Sequence, residues 1–192
     1  MSYLRPTLLI TIIVFPLLVL NLAACGSDGD DAIGTPVGPS GQANEVLAEL
    51  MRTRFTGETN DGEPRYINVQ VRENRQTTGF NVLVEFNGDE YETIVEEFRT
   101  INVWMADAYA DLFTSGRDVA EGHMSARMQV IGRQGTSPNS IVYKTRLKRE
   151  DAEGIDWANR ASVDFREIWD VLILNPTWRQ ALTEAGELST ES

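Results

Sequence analysis

Cys25 and His123 are the only residues of their types in this chain of 192. A single thiol and a single imidazole cannot assemble a two-histidine or a cysteine-rich zinc site, and a Cys/His nucleophile pair would require Cys25 itself as a free thiol. His123 sits in "EGHMS", which reads as a loop just before a strand. No glycine pattern long enough to cradle phosphate occurs, since "GRQG" at 132–135 is too short. Asp28, Asp30 and Asp31 lack the central glycine and closing glutamate of a calcium loop. Acid–base work therefore falls to carboxylates, of which Asp89, Glu90, Glu96, Glu97, Glu150, Asp151 and Glu153 are candidates. A glycosidase-like pair would need two of them brought together by the fold. Their positions fit solvated helix faces and loops better. No metal or cofactor is expected.

A second constellation is cationic. Lys144, Arg146 and Lys148 alternate along one run and Arg149 follows them, in a chain of net charge −12. Alternation places the first three on one face of a strand. Arg127 and Arg72 belong to the same expected face and complete the candidate partner-binding set. Lysine on an edge strand also discourages sheet-to-sheet pairing, which is the plainer explanation; the functional one is a face that meets an acidic partner. Such a chain gains little from counterion release, so nucleic acid is not expected as a partner.

The first 25 residues set the address. "MSYLRPTLLITIIVFPLLVLNLAAC" has a polar start with Arg5, an apolar run from Leu8 to Leu20 interrupted by Thr11 and Pro16, then Asn21 and small residues. This is the layout of an export signal. The run falls short of the roughly 20 apolar residues of a membrane span. "LAAC", Leu22-Ala23-Ala24-Cys25, resembles the lipobox of bacterial lipoprotein precursors. The resemblance implies cleavage between Ala24 and Cys25, a diacylglyceryl thioether on Cys25, and often acylation of the new amino terminus. It also implies a cell-envelope protein on the extracytoplasmic side of a membrane. Gly26 and Ser27 lack the retaining aspartate, which favours the outer membrane in a diderm host. Two or three acyl chains, at about 0.8 kcal/mol per buried methylene, anchor a protein stably. Beyond the leader stand 16 basic and 29 acidic residues, a net −13. With this address, the acidic partner of the basic face would be an envelope protein or an anionic polymer.

Residues 1–24 thus read as a lipoprotein signal peptide and 25–43 as the lipidated cysteine with a Gly/Ser/Pro/Asp-rich tether. Residues 44–185 read as one α+β domain, with a frayed tail at 186–192. Asn44 caps an expected helix carrying Val46, Leu47, Leu50 and Met51. "YINVQVR" and "FNVLVEF" alternate apolar and polar residues and form an expected hairpin. Ile94, Phe98, Ile101, Met105, Ala108 and Leu112 recur at helical spacing, as a core stripe or a coiled-coil seam, with Gly116 as a stop. "ARMQVIG" and "IVYKTRLK" predict a second hairpin, "SVDFREIWDVLIL" a helix, and "TWRQALTEA" a last short helix.

The order αββαββα predicts a two-layer fold: a four-stranded antiparallel sheet with helices on one face. Tyr66, Asn68, Gln70, Arg72, Asn81, Arg127, Gln129, Lys144, Arg146 and Lys148 would share the open face. Trp104, Trp157, Trp169 and Trp178 read as core, with a ligand groove as the alternative. The function that follows is a membrane-anchored lipoprotein whose domain binds or associates without catalysis. A tethered carboxylate-dependent enzyme is one alternative, and an accessory subunit of an envelope complex is another.

Overall fold

The computed structural model describes residues 39–132 and 135–188. The leader, Cys25 and most of the tether lie outside the described residues. The elements are α1 (Pro39–Arg54), β1 (Tyr66–Glu73), β2 (Phe80–Asn87), α2 (Ile94–Thr114), β3 (Val119–Gly132), β4 (Gly135–Lys148) and α3 (Arg149–Ala152). Two 3-10 turns follow, at Trp157–Ser162 and Phe165–Glu167, then β5 (Asp170–Leu174) and α4 (Pro176–Glu184).

One sheet of five strands runs in the order β1-β2-β3-β4-β5. The four-stranded antiparallel expectation is wrong on two counts. A fifth strand pairs with β4, and β2 pairs with β3 in parallel. Parallel neighbours require a crossover, and α2 is that crossover. β5 arises from the second half of "SVDFREIWDVLIL", expected as a helix. Its first half breaks into short 3-10 turns, and the β-branched and leucine-rich run Asp170–Leu174 pairs with Tyr143–Arg146 instead. His123 is likewise no loop residue. β3 starts at Val119, well before the expected "ARMQVIG", because Ala120, Gly122 and Ser125 are too small to display an apolar alternation.

The core lies between the sheet and the helices. Val82, Val84 and Phe86 of β2, Met124 and Ala126 of β3, and Tyr143 and Leu147 of β4 are buried against Phe98, Ile101, Met105, Ala108 and Leu112 of α2. The α2 stripe is thus a core face. Thr93 caps that helix: its hydroxyl oxygen accepts from Glu96 N at 3.2 Å and the hydroxyl donates to the Glu96 carboxylate at 3.0 Å. α1 starts at Pro39, ahead of Asn44, as suits a residue whose missing N–H costs nothing in a first turn. It buries Leu47 and Met51, and Arg54 joins it to Asp111 of α2 at 2.5 Å.

Aromatic rings hold the irregular segment after α3. Tyr109, Phe113, Trp157, Phe165 and Trp169 form a closed circuit of neighbours with centroids 5.1 to 6.4 Å apart. Trp169 and Trp178 are buried, and Trp104 lies 4.5 Å beneath the Arg65 guanidinium, so these rings serve packing. Arg65 and Asp89 form a buried ion pair at 2.7 Å; Arg65 also donates to Glu58 O, and Asp89 accepts from Asn60 N.

Contact between α2 and the sheet is tight at Gly122. A Cβ there would stand 2.8 Å from Cε1 of Tyr109. The Tyr109 hydroxyl meets Thr145 Oγ1 at 2.9 Å in the core, and burial raises its pKa well above the ordinary value. Gly122→Ala is expected to cost about 1–3 kcal/mol in urea denaturation. Combining it with Tyr109→Leu should recover part of that loss; strictly additive effects of the two would sink this account of the contact.

Candidate functional site

The face turned away from the helices is polar, and strand register places its residues in rows. One row reads Arg72, Asn81, Glu121, Lys148 from β1 to β4. The next reads Gln70, Leu83, His123, Arg146 and, on β5, Asp170. A third reads Asn68, Glu85, Ser125, Lys144 and Ile173. Arg127 lies one step further along β3. The candidate residues Arg72, Arg127, Lys144, Arg146 and Lys148 therefore share one face, because alternation in each strand fixes the side to which each points.

Their charges are not equally available. Arg146 is held by Asp170, with its Nε at 3.0 Å from Oδ2, and Arg127 Nε lies 3.0 Å from Glu85. Lys148 Nζ is 3.7 Å from Glu150. Arg149 has a structural task. It pairs with Asp118 and donates to Val119 O at 2.8 Å and to Thr78 O at 3.3 Å, tying the β1–β2 turn to the start of β3. Asn74 shapes that turn by accepting from Gln76 N at 2.7 Å and Thr77 N at 2.9 Å. Arg72, which donates to Gln70, and Lys144 have no carboxylate partner among the described residues. Neither has Arg75 on the turn, a residue the sequence reading passed over because it stood in a connecting segment.

Beside the turn lies an open depression of 1170 Å³ whose lining includes Arg72, Arg75, Asn81, His123 and Arg146. A smaller one of 490 Å³ shares Asn74, Gln76, Glu121 and Arg146 with it. Together they are lined by five cations, Arg72, Arg75, Arg146, Lys148 and Arg149, and four carboxylates, Glu73, Glu121, Glu150 and Glu153. The surface is a patchwork of both signs in an acidic protein. A patchwork selects a partner by pattern, whereas a uniform polyanion would meet repulsion at every other step.

Of the candidate acids, Glu150 and Glu153 line the smaller depression together with Glu121, and Glu90 lines a separate opening. Asp89 is committed to Arg65, Glu96 to the cap of α2, and Glu150 to the neighbourhood of Lys148. Glu97 has its carboxyl pKa raised, mainly by burial, and accepts from Tyr91 N at 3.3 Å, yet it lines neither depression. Among the described residues, no cluster of three metal-ligating side chains occurs, and no helix is long and apolar enough to cross a membrane. Compared with known proteins, the chain matches no family model, no curated protein and no solved structure.

At the centre of the face, His123 Nε2 lies 3.1 Å from Glu121 Oε2. Burial lowers the imidazole pKa below its ordinary 6.5, Lys144 and Arg146 add to the effect, and the Glu121 bond opposes it. The neutral ring is thus favoured by folding. The unfolded chain binds the proton first as pH falls below 6.5, so stability from this group declines from there through the lower folded value. As the single histidine, its ring resonances are unambiguous in NMR. Titration is expected below 6.5 in the wild type and lower still in Glu121→Gln; a midpoint at or above the ordinary value in the wild type would contradict the assignment.

Proposed function

We propose that this chain is a lipid-anchored extracytoplasmic protein that works by binding, without catalysis, and that its open sheet face docks a protein partner in the cell envelope. The observation that carries the anchor is Leu22-Ala23-Ala24-Cys25, closing an apolar run in a chain with no other cysteine. Docking is supported by Arg72, Arg75 and Lys144, cations that have no carboxylate partner among the described residues and stand among paired charges of both signs. Alternating charge favours a folded protein partner over an anionic polymer.

Anchor and face are tested separately. Intact mass and membrane partition are compared for wild type and Cys25→Ser, both expressed in a bacterial host. The expected wild-type product begins at Cys25, is heavier by acyl chains, and leaves the membrane fraction on substitution. A product that retains residues 1–24 unmodified, or one that begins at Cys25 without lipid, would refute the anchor. For the face, a photo-crosslinking residue at Gln70 should give one discrete protein adduct in intact cells. Arg72→Glu with Lys144→Glu should abolish it. An equal yield from a crosslinker at the exposed Val46 on α1 would refute selective docking.

A further inference from the structure

The helical layer holds a different kind of opening. Between α2 and the 3-10 turns lies a cleft of 590 Å³, within the roughly 300–1,000 Å³ of small-molecule sites. Phe98, Val103 and Ala106 of α2 face Ala158, Val163 and Phe165 across it. Val103 is 63% exposed, the most of any large apolar side chain among those described, although the opposite stripe of its helix is buried. An apolar group placed in the cleft would cover it.

The cleft's charges are arranged unevenly. Asp107 is held by Arg160 at 2.6 Å and approached by Arg54 at 3.8 Å, Asp164 is engaged, and Glu187 is bound by Arg99. The acids are therefore committed. Arg99, though paired with Glu187, has donors to spare: its side chain is 66% exposed and Glu187 is its one polar partner among the described residues, whereas a guanidinium carries five N–H donors. Its remaining donors suit the oxygens of an added anion.

We propose that this cleft binds an amphipathic organic carboxylate, with a hydrocarbon or aromatic body against Phe98, Val103 and Phe165 and the head group on Arg99. The apolar walls supply area for the body, and the guanidinium selects the sign of the head. This site is independent of the anchor and of the open sheet face.

The probe is naphthaleneacetate, a soluble aromatic carboxylate, in equilibrium dialysis against the full chain in non-ionic detergent, corrected by detergent alone. Its neutral counterpart is naphthaleneethanol. Arg99 and Ala158 are exposed enough to change without disturbing the core, and thermal melts by circular dichroism verify this for each variant. Saturable binding of the carboxylate is expected. Arg99→Ala should weaken it about tenfold while leaving the alcohol little changed. Ala158→Trp, which obstructs the cleft, should abolish binding of both. No saturable binding to wild type, or binding that survives Ala158→Trp, would overturn the site; equal affinity of wild type and Arg99→Ala would overturn the carboxylate assignment.

Discussion

The architecture depends on how close α2 comes to β3. Because β2 and β3 are parallel, the chain must travel back along the whole sheet between them, and α2, at about 1.5 Å per residue, provides roughly 30 Å of return. That helix must also seal the sheet. Gly122 makes room for the Tyr109 ring, and the Thr145 hydroxyl on the next strand shares a hydrogen bond with the phenol, so a bulky aromatic is buried with its polar atom satisfied. A side chain at position 122 would press on the Tyr109 ring and the Leu112 methyl, so one or both would have to shift. The aromatic circuit through Phe113, Trp157, Phe165 and Trp169 closes on the same Tyr109 ring.

Sealing one face leaves the other to water, and this decides the character of the site. Each strand contributes alternate residues to the solvent side, and in β1 to β4 the rows are Asn, Gln, Arg, Lys, Glu, Ser and His with Leu83 among them. Ion pairs across neighbouring strands, Glu85 with Arg127 and Arg146 with Asp170, give order to a face that no second layer of the described residues covers. Exposed pairs of this kind contribute little to stability, on the order of 0–1 kcal/mol each. They do fix which cations remain available. Arg149 shows the limit of reading charge from spacing: it extends the basic run in sequence, but its donors hold the β1–β2 turn.

Legibility in the sequence followed the strength of local periodicity. β1, β2 and the second half of β4 alternate cleanly, and α2 repeats at four and three, so their types were readable. The amino-terminal half of β3 was hidden because its core-facing positions include Ala120 and Gly122, small where the helix lies close. β5 was hidden because Val163, Phe165, Ile168, Trp169 and Leu172 mimic helical spacing across a segment that breaks into turns. Parallel pairing of β2 with β3 leaves no local trace at all, since it is settled by where α2 lands. Within the candidate face, the side of each cation followed from alternation; its pairing with Glu85, Asp118 or Asp170 required the fold. Arg75 and the cleft below Val103 are made by segments distant in sequence and had no local signal.

A shallow, mixed-charge face is a weak binder in free solution, because solvent and salt screen each exposed pair. Confinement changes that balance. On the proposed lipid anchor, a partner held in the same membrane meets the face at an effective concentration set by tether length, of millimolar order for a short flexible linker. Modest complementarity is then sufficient for occupancy, and the pattern of charges is free to serve discrimination instead of strength. In the proposed docking, the acidic remainder of the domain would work in the same direction: it would repel other acidic surfaces except where Arg72, Arg75 and Lys144 are presented, so that orientation on encounter would be set by the few cations without a carboxylate partner among the described residues.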